Sequence, residues 1–141
     1  MRTDNEIISV FDDELSKICS ELLAVMYDDD GIGLAAPQIG INKRIMVFNE
    51  AGNPKKKSSE CILINPKIIS KSEEMDIKDE GCLSFPKVYG RVYRSVSIEV
   101  EYQDIFGNVK NAVYNGYTAR IFQHEYDHLD KVNIYNQFLY S

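Results

Sequence analysis

The chain has 141 residues, 44% of them hydrophobic and 27% charged, which suits one domain, 1–141, with a core of its own. A formal net charge of -6 argues against a nucleic-acid groove or an anionic-membrane surface, so neither nucleic acid nor membrane is expected as a partner. No apolar run reaches the roughly 18 residues that span a bilayer, "MRTDNEIISV" has no secretory pattern, and three cysteines without a CxxC leave one unpaired in any scheme, so a reducing, cytoplasmic setting is expected.

Phe11, Leu15, Ile18, Leu22, Val25 and Met26 recur at helical spacing and predict an amphipathic helix over about 12–28. Asp12, Asp13 and Glu14 fall at its positive end, where carboxylates are welcome. Cys19 within it reads as a small buried filler. Asp28, Asp29 and Asp30 close it as a solvated loop, because consecutive carboxylates do not readily converge on one ion. "GIGLAAPQIG" follows at 31–40: its two glycines flank Ile32 and permit another strand to approach the backbone closely, and Gln38 offers an amide NH2. The same stretch also reads as a plain helix-to-strand turn.

After Gly40 the chain turns β-rich. "RIMVFN", "CILINPKII" and "SVSIEVEY" carry branched and aromatic residues, the last alternating at Val96, Ile98, Val100 and Tyr102. "DIFGN" predicts a turn and "VKNAVY" its hairpin partner. Lys55, Lys56 and Lys57 read as a solvated loop, and Cys61 as core. A second helix begins near Thr118 and carries Ile121, Phe122, Glu125, His128 and Leu129. Strands between an early and a late helix give the α+β class: antiparallel sheets around a central helix, with one further N-terminal helix.

The chemistry concentrates in "QHEYDH", which holds the only two histidines of the chain, His124 and His128. Four residues apart on a helix, they can aim ring nitrogens at one ion, with Glu125 placed as a general base. A zinc protease with HExxH needs a third ligand further on, and no His or Glu follows His128; Asp130 is too close on the same turn. Cys82 is the remaining candidate, in "EGCLSFP", where Gly81 allows an unusual backbone and Pro86 fixes the exit. A Cys/His/His set with an open fourth position is a catalytic arrangement that admits ferrous iron, zinc, nickel or cobalt.

Together, "GIGLAAPQIG", "EGCLSFP" and "QHEYDHL" resemble the three signature motifs of the peptide deformylases, in the same order and at similar spacing, over about 10–135. The wording is most similar to the organellar, type 1B-like branch. The resemblance implies a hydrolase that removes the N-formyl group from the formyl-methionine of new polypeptides and releases formate. It implies that Cys82, His124 and His128 hold a divalent metal, ferrous iron in cells with zinc or nickel able to replace it. It further implies that Glu125 is the catalytic acid/base, and that Gln38 and the Leu83 N–H stabilise the oxyanion. Ile32, Gly33, Tyr117 and Ile121 correspond to positions around the methionine pocket, Gly81 sits in the substrate-facing motif, and Arg94 corresponds to a residue that pairs with Glu80. Lys131 stands where the family has a glycine, and the family's leading segment and long C-terminal helix are shortened or missing. The missing helix puts ribosome docking in doubt without touching the chemistry, and the short form resembles deformylases of phages. A zinc endopeptidase and a silent deformylase-like binding module remain the alternatives at this stage.

Overall fold

A computed structural model describes the backbone of residues 5–53, 55–56, 59–82 and 85–130, and the side chains of these except at 78–82 and 85–92. The first helix, α1, is Asp13–Asp28. Asp12 precedes it as the N-cap, its Oδ1 accepting from the Leu15 N–H at 3.0 Å, which satisfies one of the donors a helix start leaves open. Then come β1 (Gly33–Ala35), a 3-10 turn (Ala36–Ile39), β2 (Ile45–Asn49), β3 (Glu60–Lys71), β4 (Met75–Cys82), β5 (Phe85–Ser95), β6 (Ser97–Gln103), β7 (Val109–Asn115) and the second helix, α2 (Gly116–Leu129).

Five strands make one antiparallel sheet in the order β1-β2-β3-β6-β7, and β4 and β5 form a separate hairpin. The sheet has an α-helix on each face. Leu34, Ile45, Val47 and Ile64 point towards Leu15, Cys19, Leu22 and Met26 of α1. Their neighbours Ala35, Met46, Phe48 and Leu63 point the other way, towards Ala119, Ile121, Phe122 and Leu129 of α2. This two-sided cover explains why "IMVFN" is an unbroken apolar run: every residue of β2 is buried, and alternation gives way when both faces are covered. Beyond β3 the α1 layer ends, so β6 recovers alternation, with Ile98 and Val100 buried and Glu99 exposed.

"CILINPKII" forms one strand, as its composition predicts, but with a register shift between Ile64 and Lys67. Asn65 takes a positive φ of 51° there, and Pro66 has no N–H for the ladder. Freed from strand geometry, Asn65 exchanges two 2.8 Å bonds with the backbone of Ile8 and fastens the N-terminal segment to the sheet. The expected turn at 104–108 is present: Asp104 accepts from the N–H groups of Phe106 and Asn108, and Gly107 supplies a φ of 88°. Among the described residues, no helix is long and apolar enough to cross a membrane.

Candidate metal centre on the second helix

Three stripes run along α2, and each has a separate task. Ala119, Phe122, Tyr126 and Leu129 pack on the sheet, where Phe122 stacks on Tyr126 with centroids 5.6 Å apart. Tyr117, Ile121, His124 and His128 form the second stripe, at positions i, i+4, i+7 and i+11. Arg120, Gln123 and Asp127 form the third, which faces the β4–β5 hairpin.

On the second stripe the two imidazoles lie 5.2 Å apart, centre to centre, at 70° to one another. His124, Glu125 and His128 each offer a ligand atom, and these atoms all lie within 4.8 Å of one another. Glu125 is only 4% exposed, and its Oε1 is 3.8 Å from His124 Nε2, too long for a hydrogen bond but close enough to share one ion or one water. Two imidazoles and a carboxylate on a largely buried helix face are a donor set that fits a divalent transition metal.

Glu125 has room because Gly33 has no side chain. A Cβ built on Gly33 would lie 2.9 Å from Glu125 Cγ, 3.2 Å from its Cδ and 3.3 Å from Ile121 Cγ2. The second glycine of "GIGLAAPQIG" thus serves the carboxylate behind β1. β1 is also an edge strand of the five-stranded sheet, with this carboxylate packed against its face at Gly33. Ile32, half-buried beside Gly33, accepts from the Asn49 N–H at 2.8 Å. Gln38 turns its Oε1 back to the Ala35 N–H at 2.8 Å, which fixes the orientation of its amide in the 3-10 turn packed on α2. Ile121 is 8% exposed, whereas Tyr117, at the start of α2, is 48% exposed. The structure therefore brings together Gly33, Ile121, His124, Glu125 and His128. Cys82 ends β4, with its backbone opposite Phe85 after a register shift at Gly81. The side chains of Glu80 and Cys82 lie outside the described residues, as do Leu83 and Lys131.

The contacts that hold this helix in place differ from the sequence reading, in which the resemblance paired Arg94 with Glu80, whose side chain lies outside the described residues, and Arg120, Gln123 and Asp127 had no assigned partners. Gln123, 4% exposed, accepts from the Ser95 N–H at 3.0 Å and donates to the Ser95 carbonyl at 2.9 Å and the Ala119 carbonyl at 3.0 Å. Arg120 donates to Asp76, at 2.6 Å to the carboxylate and 3.1 Å to the carbonyl. Arg94, 5% exposed, forms an ion pair with Asp127. Burial pushes the Asp127 carboxyl above its ordinary range, and the Arg94 guanidinium opposes that shift. At the far end of α2, the Leu129 carbonyl accepts from the Asn5 amide, and Arg44 pairs with Asp130 at 3.2 Å while lying over the Tyr126 ring. Cationic and amide donors there meet the carbonyls and the negative pole of the helix next to His128. At its start, the Thr118 hydroxyl donates to Glu50.

The family model for polypeptide deformylase matches residues 1–139. The chain belongs to the polypeptide deformylase family. It is similar to the chloroplastic/mitochondrial peptide deformylase 1B of Arabidopsis thaliana, at 44% identity over 137 residues, covering 97% of this chain and 50% of that protein. It is also similar to the peptide deformylase of Thermotoga petrophila, at 42% identity over 127 residues, covering 90% of this chain and 74% of that one. The crystal structure of a plant peptide deformylase 1B superposes with a TM-score of 0.91 at 44% identity, covering 95% of this chain and 72% of that one. The Thermotoga maritima deformylase structure superposes at 0.88 with 39% identity, covering 96% of this chain and 88% of that one. The chain spans about half the length of the curated plant deformylases it matches. Deformylase membership accords with the expected α+β class, the antiparallel sheets and the central HExxH helix.

Proposed function

We propose that the chain is a metal-dependent peptide deformylase, removing the formyl group from the N-terminal formyl-methionine of new polypeptides and releasing formate. The observation that carries this reading is the convergence of His124, Glu125 and His128 beneath Gly33, in a chain of the deformylase family. His124 and His128 would hold the metal, with Cys82 as third ligand. Ferrous iron suits the set, and zinc, nickel or cobalt can replace it. What a divalent ion supplies when bound is Lewis acidity, which makes water a nucleophile near neutral pH.

The remaining steps belong to the protein. Glu125 takes the proton of the attacking water and later returns it to the leaving amine. The formyl carbon is the least hindered carbonyl a peptide presents, and the substrate backbone would lie along the open edge of β1 as an added strand. Negative charge grows on the formyl oxygen, where the Gln38 amide and the Leu83 N–H donate. One such donor is typically worth ~3 kcal/mol. The methionine side chain would run towards Ile32, Ile121 and Tyr117, with Gly81 and Gly33 leaving room for the peptide. Burial of Glu125, at 4% exposure, leaves little room around its carboxylate for bulk water. Partners would be formylated nascent chains, met in a cytoplasmic compartment.

The test is formate release from a short formyl-methionyl peptide by protein loaded anaerobically with ferrous iron, compared with Glu125→Gln. Release that requires Glu125 is expected. A folded, metal-replete sample that releases none would overturn the reading and favour a binding module, and cleavage of unformylated peptides would favour an endopeptidase.

A further inference from the structure

The third stripe of α2 is a polar interface that, among the described residues, meets the base of the β4–β5 hairpin through Asp76, Arg94 and Ser95. Asp76 and Arg94 are cross-strand partners, so Arg120 and Asp127 grip both strands at one rung. Gln123, midway between them, pairs with Ser95 as a neighbouring strand would, donating to its carbonyl and accepting from its N–H. Such a pair is a register lock, since a slip of one residue, about 3.3 Å, breaks both bonds. The hairpin needs this attachment. Two-stranded hairpins are marginal alone, and among its described residues the apolar Met75, Ile77 and Tyr93 are 51%, 40% and 55% exposed and so add little burial.

The same hairpin carries Cys82 as the last residue of β4, and α2 carries both histidines. A metal held by Cys82, His124 and His128 joins the two elements that Arg120, Gln123 and Asp127 already join. We propose that Gln123 is a positioning residue for the metal centre: by locking the hairpin to α2, it raises the effective concentration of Cys82 at the histidines. Arg120–Asp76 and Arg94–Asp127 support the same docking. This rests on the Cys/His/His ligand set proposed above.

The test uses cobalt(II) as probe on the full chain, without reference to turnover. Thiolate ligation gives a near-ultraviolet charge-transfer band, and the visible ligand-field bands report total bound cobalt. Competition with a chelator gives the affinity. Gln123→Ala is expected to lower cobalt affinity about tenfold, the effect typical of partners that hold ligands in place, and to lower the thiolate band relative to the ligand-field bands. Asp76→Asn, at a partly exposed position, should move both in the same direction by less, and it serves if Gln123→Ala does not fold. Unchanged affinity and band ratio in both variants would overturn the proposal. So would cobalt loss that only tracks loss of folded protein, with an unchanged ratio in what remains bound. A parent protein with no thiolate band would instead overturn the Cys82 ligand reading, and the inference with it, before any variant is compared.

Discussion

Replacing Gly33 by alanine isolates one distance. Gly33 lies in β1 and is not among the glycines at positive φ, so alanine can adopt its backbone without strain and the effect is steric. The new methyl would stand 2.9 Å from Glu125 Cγ. An ordinary carbon–carbon contact begins near 3.5 Å, so either β1 or Glu125 must give by about 0.6 Å. β1 is paired through Gly33↔Phe48, Leu34↔Val47 and Ala35↔Met46 and cannot recede cheaply, whereas the carboxylate can swing. A displacement approaching 1 Å at a catalytic group costs roughly 10²-fold in rate, or about 2.7 kcal/mol of transition-state stabilisation. Overpacking should also cost stability, by about 1–3 kcal/mol. Formate release under saturating substrate, metal content after desalting and thermal unfolding separate these effects. The expected result is a kcat lowered about 100-fold with metal retained. A Gly33→Ala protein with full metal and a kcat within about twofold of the parent would refute the idea that this glycine makes room for the base.

Glu125→Gln should keep its metal and lose turnover by at least ~10²-fold, whereas Cys82→Ala should lose metal on desalting; metal analysis beside formate release distinguishes them. Phe122→Ala removes a fully buried ring between Tyr114 and Tyr126 and should cost about 3–5 kcal/mol, seen as a lower urea midpoint. Burial raises the Cys19 thiol from the ordinary 9.0 to about 11. A folded-state value above the unfolded one means stability is intact below about 9 and falls as pH rises towards about 11, so a pH series of unfolding should show an alkaline decline that Cys19→Ala reduces. By the same burial, Cys19 should resist alkylation at pH 8 in the folded protein, as mass spectrometry of the labelled protein can read.

Residues whose local pattern agreed with their final environment were the legible ones. The apolar spacing from Leu15 to Met26 predicted α1 almost to the residue, with Asp12 proving to be the cap and not the first turn. Ile98 and Val100 alternate because β6 has one buried face. His124, Glu125 and His128 needed only helical geometry to be brought together. The β4–β5 hairpin escaped because its signals are inverted: Met75, Ile77 and Tyr93 face solvent, while Arg94 is 5% exposed. A sequence reading that sends apolar residues inward and charges outward has no grip on such a segment. The Asn65 bulge escaped for a different reason, since the composition around it stays that of a strand.

Arg120, Gln123 and Asp127 make the same point about the site itself. At i, i+3 and i+7 they read as the solvent side of an amphipathic helix, and nothing local says otherwise. Their burial is set by the distant pieces that answer them, namely Asp76, Arg94 and Ser95, some 28 to 44 residues away. An ion-binding helix cannot be amphipathic in the usual two-sided sense. One side must pack on the sheet, another must face the ion, and the remaining side must be held by partners that do not compete for the ion's ligands. Polar partners meet that demand better than apolar ones would, because a second apolar stripe would leave the orientation of the helix about its own axis poorly specified. Directional bonds to Ser95 and Asp76 define that orientation, and with it the direction in which His124 and His128 point.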